Sequence, residues 1–568
     1  MKKSMFLFGA LFAAGLSFTA CSSDNESVEG GISPTGDGAS YIALSIVLPN
    51  DAAGTRAPND DFKNGLASEF AVNSIKAFIF EGGTSSSVLS EVLEPAIGSW
   101  SVNSDGNNIT SRRSFVQKLT KSVTSPYVLI VLNDCGITYT AGTSTYEAIA
   151  SQTVNKYVST DGGVDYFTMT NSPLANSPGG SSDPSSATVS TLVAANTYET
   201  QAAANAATPN EIYVERVAAK VTVDVSTAGT TTSVDSKAFS ILSWSVDNTE
   251  STSYFVRNVD GVSSYFGYKN ADATGANLYR FVGSADTGGG YRIYWAKDPH
   301  YTGTDLNSSR LTAYSSLSAN FGSSNPQYCL ENTFDLSNQT LNHTTRVVIA
   351  AQFNGGSSFY VINGATSILY SDVATVQSNL AAAVLSNSKV HAIISASSET
   401  WVSTEIGITL SSVDAKGIVK ITDIGWNHAS TTLTSQLEAI ESTVISEVNA
   451  SNKVEFYDSG TAYYTVLIKH FGDDLAKWKA TGHVAAGGIY DYNHSSAIDA
   501  TDEAQYLGRY GVLRNNWYNI TVSGIKRIGS PVVVDVTGDT TTDDTVDQYI
   551  AYAINILAWA YRNQDENL

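Results

Sequence analysis

Cys21 is the residue whose position most clearly indicates covalent chemistry. It follows Phe18-Thr19-Ala20, and before that come two lysines and an apolar run from Met5 to Leu16. A charged start, an apolar run too short to span a membrane permanently and a small residue before cysteine are typical of a bacterial lipoprotein signal. The pattern predicts removal of residues 1–20 and acylation of the Cys21 thiol, with palmitate among the acyl groups. An ordinary secretory signal with a cysteine at this place by chance is the alternative.

Catalytic motifs are the next class of chemistry to consider. The sequence has no His-Glu-x-x-His, no Gly-x-Ser-x-Gly, no glycine-rich phosphate loop and no cysteine pairs at zinc spacing. The most suggestive cluster is His470 with Asp473 and Asp474, but a strand end followed by a capped short helix explains it better. Other histidines are scattered, with His300 in a predicted loop and His391 at the start of a predicted strand. We therefore expect no enzyme activity and no cofactor.

An aspartate-rich segment near the C-terminus is a candidate for calcium binding. Its members are Asp535, Asp539, Asp543, Asp544 and Asp547. The spacing lacks the regular ligand pattern of a known calcium loop, so a solvated linker is the favoured interpretation. The sequence predicts no bound metal.

Two cysteines remain once Cys21 is acylated, Cys135 and Cys329. They could pair in an oxidising compartment, or they could be two buried free thiols. We expect them in different domains, and spacing alone leaves both alternatives open.

Composition and charge narrow the class of protein. The 568 residues carry a formal charge of −22, and loss of Lys2 and Lys3 with the signal takes it to −24. Such an acidic chain is a poor partner for nucleic acid or anionic lipid. Charged residues make up only 15% of the chain, so its polarity comes largely from Ser, Thr, Asn and Gly, and it has 30 tyrosines. This profile is typical of an extracellular β-protein.

Two predicted strands stand apart at opposite ends of the chain. Period-two alternation puts Ile42, Leu44, Ile46 and Leu48 on one face of the first strand. The same alternation puts Ile550, Tyr552, Ile554 and Ile556 on one face of the second, which follows a Thr/Asp-rich spacer. The last segment also has helical spacing through Trp559, so a C-terminal helix is the alternative. We expect a strand that the spacer frees from its own domain.

The rest of the chain indicates many short strands and few helices. Strands are predicted at residues 77–80, 127–132, 217–225, 346–353 and 390–396, and helices at 373–384 and 433–448. Residues 171–209 are rich in Ser, Pro, Ala, Asn and Gly, which predicts a long loop or lid. Domain boundaries are predicted near residues 225 and 536.

Five segments, in order along the chain, resemble the signature segments of Bacteroidia type V fimbrillins. They are residues 128–134 (VLIVLND), 214–221 (VERVAAKV), 294–301 (YWAKDPHY), 328–333 (YCLENT) and 510–518 (YGVLRNNWY). The similarity is greatest to the major shaft subunits of short (minor) fimbriae, and it extends through the C-terminal tail.

The resemblance implies a mainly β fold with two transthyretin-like β-sandwich domains and a few short helices. These domains would span residues 57–225 and 226–536, after a propeptide of residues 21–56 and before a linker and donor-strand tail of residues 537–568. It also implies cleavage by an Arg-specific surface protease after Arg56, which makes Ala57 the new N-terminus. Small, turn-forming residues around Arg56 predict an exposed loop, although an ordinary loop charge is the alternative.

Together these features predict assembly by strand exchange. Cleavage would remove the first strand and leave a groove, and the last strand of another subunit would fill it, with Trp559 as a further anchor. The expected protein is a fimbrial shaft subunit, lipidated at the outer membrane and then extracellular, that polymerises head to tail. Its partners would be further copies of itself, accessory anchor and tip subunits, and host or bacterial surface receptors, with adhesion and biofilm formation as consequences.

Two alternatives remain. Aromatic residues among polar ones in loops, such as Tyr265-Phe-Gly-Tyr-Lys269, leave room for a monomeric outer-membrane lipoprotein that binds carbohydrate. An anchor or tip subunit of the same fimbria is the other. A carbohydrate-binding lipoprotein has no need of a removable first strand or a tethered last strand, which favours the shaft subunit.

Overall fold

Short alternating segments separated by turn residues give a mainly β structure, as the sequence predicts. The computed structural model describes residues 40–49, 65–102, 109–177, 188–226, 237–266, 281–286, 290–303, 308–309, 317–470, 507–541 and 550–557. The strands up to residue 225 are β1 (Ser40–Pro49), β2 (Ile75–Glu81), β3 (Val88–Leu93), β4 (Ser101–Val102), β5 (Ile109–Leu119), β6 (Pro126–Leu132), β7 (Thr153–Val154), β8 (Val158–Asp161), β9 (Val164–Phe167), β10 (Met169–Asn171), β11 (Leu174–Ala175), β12 (Val189–Ser190), β13 (Val193–Ala194), β14 (Thr197–Tyr198), β15 (Asn210–Arg216) and β16 (Ala219–Val225).

The remaining elements follow in the same order. The strands are β17 (Phe239–Asp247), β18 (Thr249–Glu250), β19 (Ser253–Tyr254), β20 (Val282–Asp286), β21 (Tyr291–Ile293), β22 (Ser308–Ser309), β23 (Gln327–Cys329), β24 (Arg346–Phe353), β25 (Phe359–Ile362), β26 (Ile406–Leu410), β27 (Ile418–Val419), β28 (Ile421–Trp426), β29 (Val454–Tyr457), β30 (Thr461–Leu467), β31 (Trp517–Ile525) and β32 (Ile550–Leu557). The described α-helices are α1 (Tyr146–Ala150), α2 (Gln201–Ala206), α3 (Val373–Leu385), α4 (Ser388–Ser395), α5 (Thr431–Glu438) and α6 (Glu441–Ser451).

The first sheet has ten strands. Their order is β3-β2-β6-β10-β15-β1-β5-β4, with β13 beside β6 and β14 beside β1. Alternate residues of β6 belong to two different hydrophobic clusters: Val128 and Ile130 to one, Leu129 and Val131 to the other. The sheet is therefore covered on both faces, and β1 contributes to the cluster that contains Val128.

Two further sheets share a second hydrophobic core. One has the order β23-β16-β31-β32 and the other β17-β24-β30. Val221 of β16, Ile520 of β31, Ile349 of β24 and Val466 of β30 are all fully buried in this core. The chain passes from the first sheet to this pair within residues 217–218, since β15 belongs to the first sheet and β16 to the second.

A third core belongs to an insertion between two neighbouring strands. Strands β24 and β30 are hydrogen-bonded to each other, yet residues 354–460 lie between them in sequence. The insertion contains β25 to β29 and helices α3 to α6, and its cluster includes Leu380, Leu437 and Val448. Its helices pack on short sheets, and they include the segments at residues 373–384 and 433–448 that the sequence predicts as helical.

Two predictions in this insertion need correction. The sequence predicts a strand at residues 390–396, but residues 390–395 lie in helix α4 and Ala396 caps its C-terminus. The helix begins after Asn387, whose side chain accepts hydrogen bonds from the amides of Lys389 and Val390. The cap outweighs the β-branched residues that suggested a strand. His391 is thus helical and exposed. The helix predicted at 433–448 is two helices, α5 and α6, separated at residues 439–440.

The segment predicted as a featureless loop, residues 171–209, has more structure than expected. Its described part contains β11 to β14 and helix α2. Strand β14 pairs with the start of β1 at Tyr41 and Ile42, and α2 lies beside β1. Strands of two residues are not predictable from the sequence, because too few residues alternate to give a pattern.

The two described cysteines are unpaired. Cys329 is buried in the core shared by the β23-β16-β31-β32 and β17-β24-β30 sheets. Cys135 packs on the cluster of the first sheet that contains Leu129 and Val131. Burial raises the pKa of the Cys329 thiol to about 12 and also raises the pKa of Cys135. Both thiols therefore stay protonated near neutral pH and are poor nucleophiles.

No helix in the described parts of the chain is long and apolar enough to cross a membrane. The predicted domain boundaries near residues 225 and 536 stay predictions.

Candidate functional site

Strand β1 lies in the interior of the first sheet, between β5 and β15. It runs antiparallel to β5, with Leu44 opposite Phe115, and parallel to β15, with Leu44 opposite Asn210. The space that β1 occupies between these two strands is called the β1 slot below. A strand in this position has hydrogen-bonded ladders on both sides, so its loss would leave two rows of backbone groups without partners.

The four residues predicted on one face of β1 are all in the core. Ile42, Leu44 and Ile46 are fully buried and Leu48 is 2% exposed, in one cluster with Ile130. The other face is covered as well, because Ala43, Ser45 and Val47 are also buried. The sequence predicts four large residues on one face of this strand, and the structure shows a strand that is covered on both faces.

The residues predicted for lipidation and processing lie outside the described residues. These are Cys21, Arg56 and Ala57. Strand β1 ends at Pro49, and the described chain resumes at Gly65. The predicted cut thus falls between β1 and the next described segment, where it would separate the strand from the rest of the sheet.

Contacts of Glu69 fix the position of the first described turn after the predicted cut. Its carboxylate is buried, 2.7 Å from Nζ of Lys220, and accepts a hydrogen bond of 2.5 Å from the Tyr328 hydroxyl. Its backbone carbonyl accepts a 2.6 Å hydrogen bond from Nε of Arg216. The start of a processed chain would therefore stay attached at Glu69 after residues 21–56 had gone.

Strand β32 confirms the strand predicted at the C-terminus and excludes the helical alternative. It lies at the edge of its four-stranded sheet and pairs antiparallel with β31 of the same chain. The register places Tyr552 opposite Val522, Ile554 opposite Ile520 and Ile556 opposite Tyr518, and these three β31 residues are fully buried. Trp559 lies outside the described residues.

The pairing of β32 with β31 differs from the expected free tail. Strand β31 would otherwise leave its outer backbone groups uncovered at the sheet edge, and a following strand with matching alternation satisfies them. The Thr/Asp spacer therefore does not keep the segment away from its own chain.

Several of the segments that resemble fimbrillins contribute charged residues to one buried cluster. It lies where the chain passes from the first sheet to the sheet that contains β16. This junction cluster consists of Glu69, Glu215, Arg216, Lys220, Arg257, Arg292, Glu331 and Arg514, none more than 5% exposed. Arg514 Nη2 lies 2.5 Å from Glu331 Oε1, and Arg257 Nη2 lies 2.8 Å from Glu215 Oε2. Five of the eight lie within the segments that resemble fimbrillins, but their role is not predictable from the sequence.

In the junction cluster, burial and neighbouring opposite charges shift the pKa values in opposite directions. Burial raises the pKa of Glu215, and the nearby guanidinium groups of Arg257, Arg514 and Arg292 oppose that rise. Burial also lowers the pKa of Arg216 to about 10, against the attraction of Glu69. Charges taken out of water in this way are tolerated only when they are paired, so loss of one partner would leave its opposite charge buried and uncompensated.

His470 and His300 each contact neighbouring groups of the fold. His470 is buried, its Nδ1 2.7 Å from the Tyr518 hydroxyl and its Nε2 3.0 Å from the Tyr294 carbonyl oxygen. His300 Nδ1 lies 2.9 Å from Glu250. Asp473 and Asp474 lie outside the described residues. Within the part of the chain that the structure describes, no group of three or more His, Cys, Asp or Glu residues is placed to hold a metal ion.

The C-terminal part of the chain matches a known family model. Residues 488–565 match the model described as major fimbrial subunit protein type IV, fimbrillin, C-terminal. The matched range includes both strands β31 and β32. No curated protein shows significant similarity to the chain.

Several solved structures show a loose likeness. A candidate cell adhesion protein of Parabacteroides distasonis has 12% identity and a TM-score of 0.35, over 91% of this chain and 96% of its own. The tip fimbrial protein Mfa3 of Porphyromonas gingivalis, with a C-terminal truncation, has 12% identity and a TM-score of 0.30, over 92% and 100%. A fimbrial assembly protein of Parabacteroides distasonis has 9% identity and a TM-score of 0.23, over 54% and 94%.

The family model extends the resemblance that the sequence motifs indicate. Its description gives type IV, while the motifs resemble type V, so the type and the shaft role stay predictions. Residues 488–565 therefore resemble the C-terminal region of a major fimbrial subunit of the fimbrillin family.

Proposed function

We propose that this chain is the structural shaft subunit of a cell-surface fimbria. It is exported as a lipoprotein through Cys21, cut after Arg56 by an Arg-specific protease, and polymerised by donor-strand exchange. The observation that carries the proposal is the position of β1. It is a strand with buried residues on both faces, set between β5 and β15, and the chain leads from it to the following strands through the segment that contains Arg56.

Removal of β1 creates a strong acceptor for another strand. The β1 slot would expose two ladders and the pockets of Ile42, Leu44, Ile46 and Leu48. Filling such pockets with four large apolar side chains contributes about 6 to 12 kcal/mol before ordering costs. The C-terminal segment has the same number of large residues at the same alternation, in Ile550, Tyr552, Ile554 and Ile556.

Exchange also improves the hydrogen bonding of the donated strand. Among the described residues β32 pairs with β31 on one side at its own sheet edge, whereas a strand in the β1 slot pairs on both sides, with β5 on one and with β14 and β15 on the other. A strand that moves from the edge into the slot of another subunit therefore gains a second ladder, which also fixes its register. Before it can move, the strand must lose its hydrogen bonds to β31.

The assembly is directional. Donor and acceptor are different surfaces of the subunit, so each added copy presents a fresh donor, and the contact generates a filament rather than a closed ring. Anchor and tip subunits would end such a filament, and surface receptors would be its adhesion targets. An anchor would resist cleavage and a tip would lack the donor tail.

The experiment that tests the proposal uses soluble chain that begins at Ser22, incubated with an Arg-specific protease and run unheated on a denaturing gel. We expect a ladder of multimers. Arg56→Ala and a deletion of residues 547–568 should each abolish it, because one keeps β1 and the other removes the donor. Arg527→Ala, which removes an exposed arginine elsewhere, is the matched control and should leave the ladder intact.

Clean cleavage of the unaltered chain to a stable monomer would contradict the proposal. A ladder that persists after deletion of residues 547–568 would also contradict it, because assembly would then use a different contact.

A further inference from the structure

The described part of the chain contains a cleft of about 800 Å³ outside the β1 slot. Its walls come from the start of β6, helix α1, residues 188–192 and residues 254–263. The volume lies within the range of small-ligand sites in proteins. Nothing in the proposed polymerisation uses this cleft.

Tyrosines supply the aromatic part of the cleft lining. Tyr127, Tyr146 and Tyr254 are all half-buried, so each ring has one part packed and one part accessible. The Tyr146 ring packs edge-on against Phe80 at a centroid distance of 5.7 Å. Gly83 leaves room for the Tyr127 ring, because a Cβ at position 83 would lie 2.3 Å from it. Tyr127 and Tyr146 also pack on the cluster of Leu129 and Val131, so these two rings are held in place before any ligand arrives.

Hydrogen-bonding groups surround these rings. Glu147 and Asp260 are exposed at the cleft, and serine and threonine hydroxyl groups line it as well. Arg257 also lines the cleft, but its guanidinium is buried and bonded to Glu215 at 2.8 Å and to the Ile293 carbonyl oxygen at 2.8 Å. The exposed charged residues in the lining are thus the carboxylates of Glu147 and Asp260, which accept hydrogen bonds and repel anions, while the half-buried Lys297 ammonium lies beside Gly261.

The cleft lies on the opposite face of the first sheet from the core that β1 fills. Tyr127 and Tyr146 pack on the cluster of Leu129 and Val131, whereas β1 packs on the cluster of Val128 and Ile130. Exchange of the strand in the β1 slot would therefore leave the cleft lining unchanged. A subunit within a filament would keep the same cleft.

We propose that this cleft binds a short neutral oligosaccharide. Sugar rings offer an apolar face to tyrosine rings and hydroxyl groups to carboxylates, and the lining combines both groups. A peptide ligand would need apolar side-chain pockets, which this largely polar lining does not favour. The two exposed carboxylates disfavour acidic sugars at the part of the cleft that they line. The proposal does not rest on polymerisation.

The test uses the Arg56→Ala chain from Ser22, which keeps β1 in place, and saturation-transfer NMR with lactose, N-acetyllactosamine, maltose and 3′-sialyllactose. We expect at least one neutral sugar to bind and 3′-sialyllactose to bind more weakly than its neutral parent. Glu147→Gln with Asp260→Asn should weaken binding about ten-fold or more, since each change weakens a charge-assisted hydrogen bond. Both residues are exposed, so the fold should be unaffected.

The matched control is Glu94→Gln with Asp423→Asn, which changes the same charges at exposed positions away from the cleft. It should bind as the parent chain does. Absence of binding by all three neutral sugars, stronger binding of 3′-sialyllactose, or equal loss in the cleft and control variants would each overturn the proposal. Because the Arg56→Ala chain is not expected to polymerise, none of these results depends on the fimbrial assembly.

Discussion

Leu44→Asp is expected to destabilise the precursor strongly and to leave the processed subunit unchanged. Leu44 is fully buried and lies opposite Phe115, so the new carboxylate would have no cationic partner directly across the ladder. Burial of an unpaired charge of this kind costs about 3 to 5 kcal/mol. After cleavage the altered strand is discarded, and the subunit that remains is identical to the unaltered one.

Urea unfolding of the uncut chain from Ser22 measures the first effect, and the yield of polymer after protease treatment measures the second. Leu44→Met is the matched control, since a swap that conserves volume costs less than about 1.5 kcal/mol. If Leu44→Asp does not fold at all, Leu44→Ala should show a loss of about 2 to 5 kcal/mol with the same normal polymer. An uncut variant as stable as the parent, or a cleaved variant that fails to polymerise, would contradict the role of β1 as a removable strand.

The second large effect is expected in the junction cluster. Glu331→Leu should lower the free energy of unfolding by about 3 to 5 kcal/mol, because it leaves a buried guanidinium without its carboxylate. Arg514 and Glu331 are both fully buried, and Arg514 also donates to Ser253 and to the Tyr254 carbonyl oxygen. The double variant Glu331→Leu with Arg514→Met should recover much of the loss, since neither charge is then left alone.

Glu447→Leu provides the matched surface control. Glu447 pairs with Lys389 on the helical insertion, and both side chains are well exposed. Exposed pairs contribute little because solvent and salt screen them, so urea unfolding should detect little change. Equal effects of Glu331→Leu and Glu447→Leu would show that the junction cluster does not hold the passage between the sheets.

Sequence reasoning located both terminal strands because each has four large residues at period two. It could not place β1 between β5 and β15, because that arrangement depends on partners far away in sequence. The pairing of β32 with β31 was missed for the same reason. Alternation shows that a segment is a strand but does not show which strand it joins.

The buried charges were missed for a different reason. Arg514 and Glu331 look like ordinary surface residues in a sequence, and only the fold shows that they are fully buried and paired. The repeated presence of charged residues in otherwise apolar motifs, such as VERVAAKV at residues 214–221, was the available signal. Helix α4 was mistaken for a strand because its β-branched residues were given more weight than the Asn387 cap.

The most direct test of strand exchange is whether the emptied β1 slot binds the C-terminal segment. A labelled synthetic peptide of residues 547–561 is added to chain that lacks residues 547–568 and has been cut after Arg56, and fluorescence anisotropy reports binding. We predict one tightly bound peptide per subunit, displacement by a peptide of residues 40–49, and no binding of an Ile554→Asp peptide. The uncut Arg56→Ala form of the same shortened chain distinguishes binding in the β1 slot from binding at the edge of β31. Its slot is filled by β1, whereas its β31 edge has lost β32 and is free. Equal binding to the cut and uncut forms, or no binding to the cut form, would contradict the account.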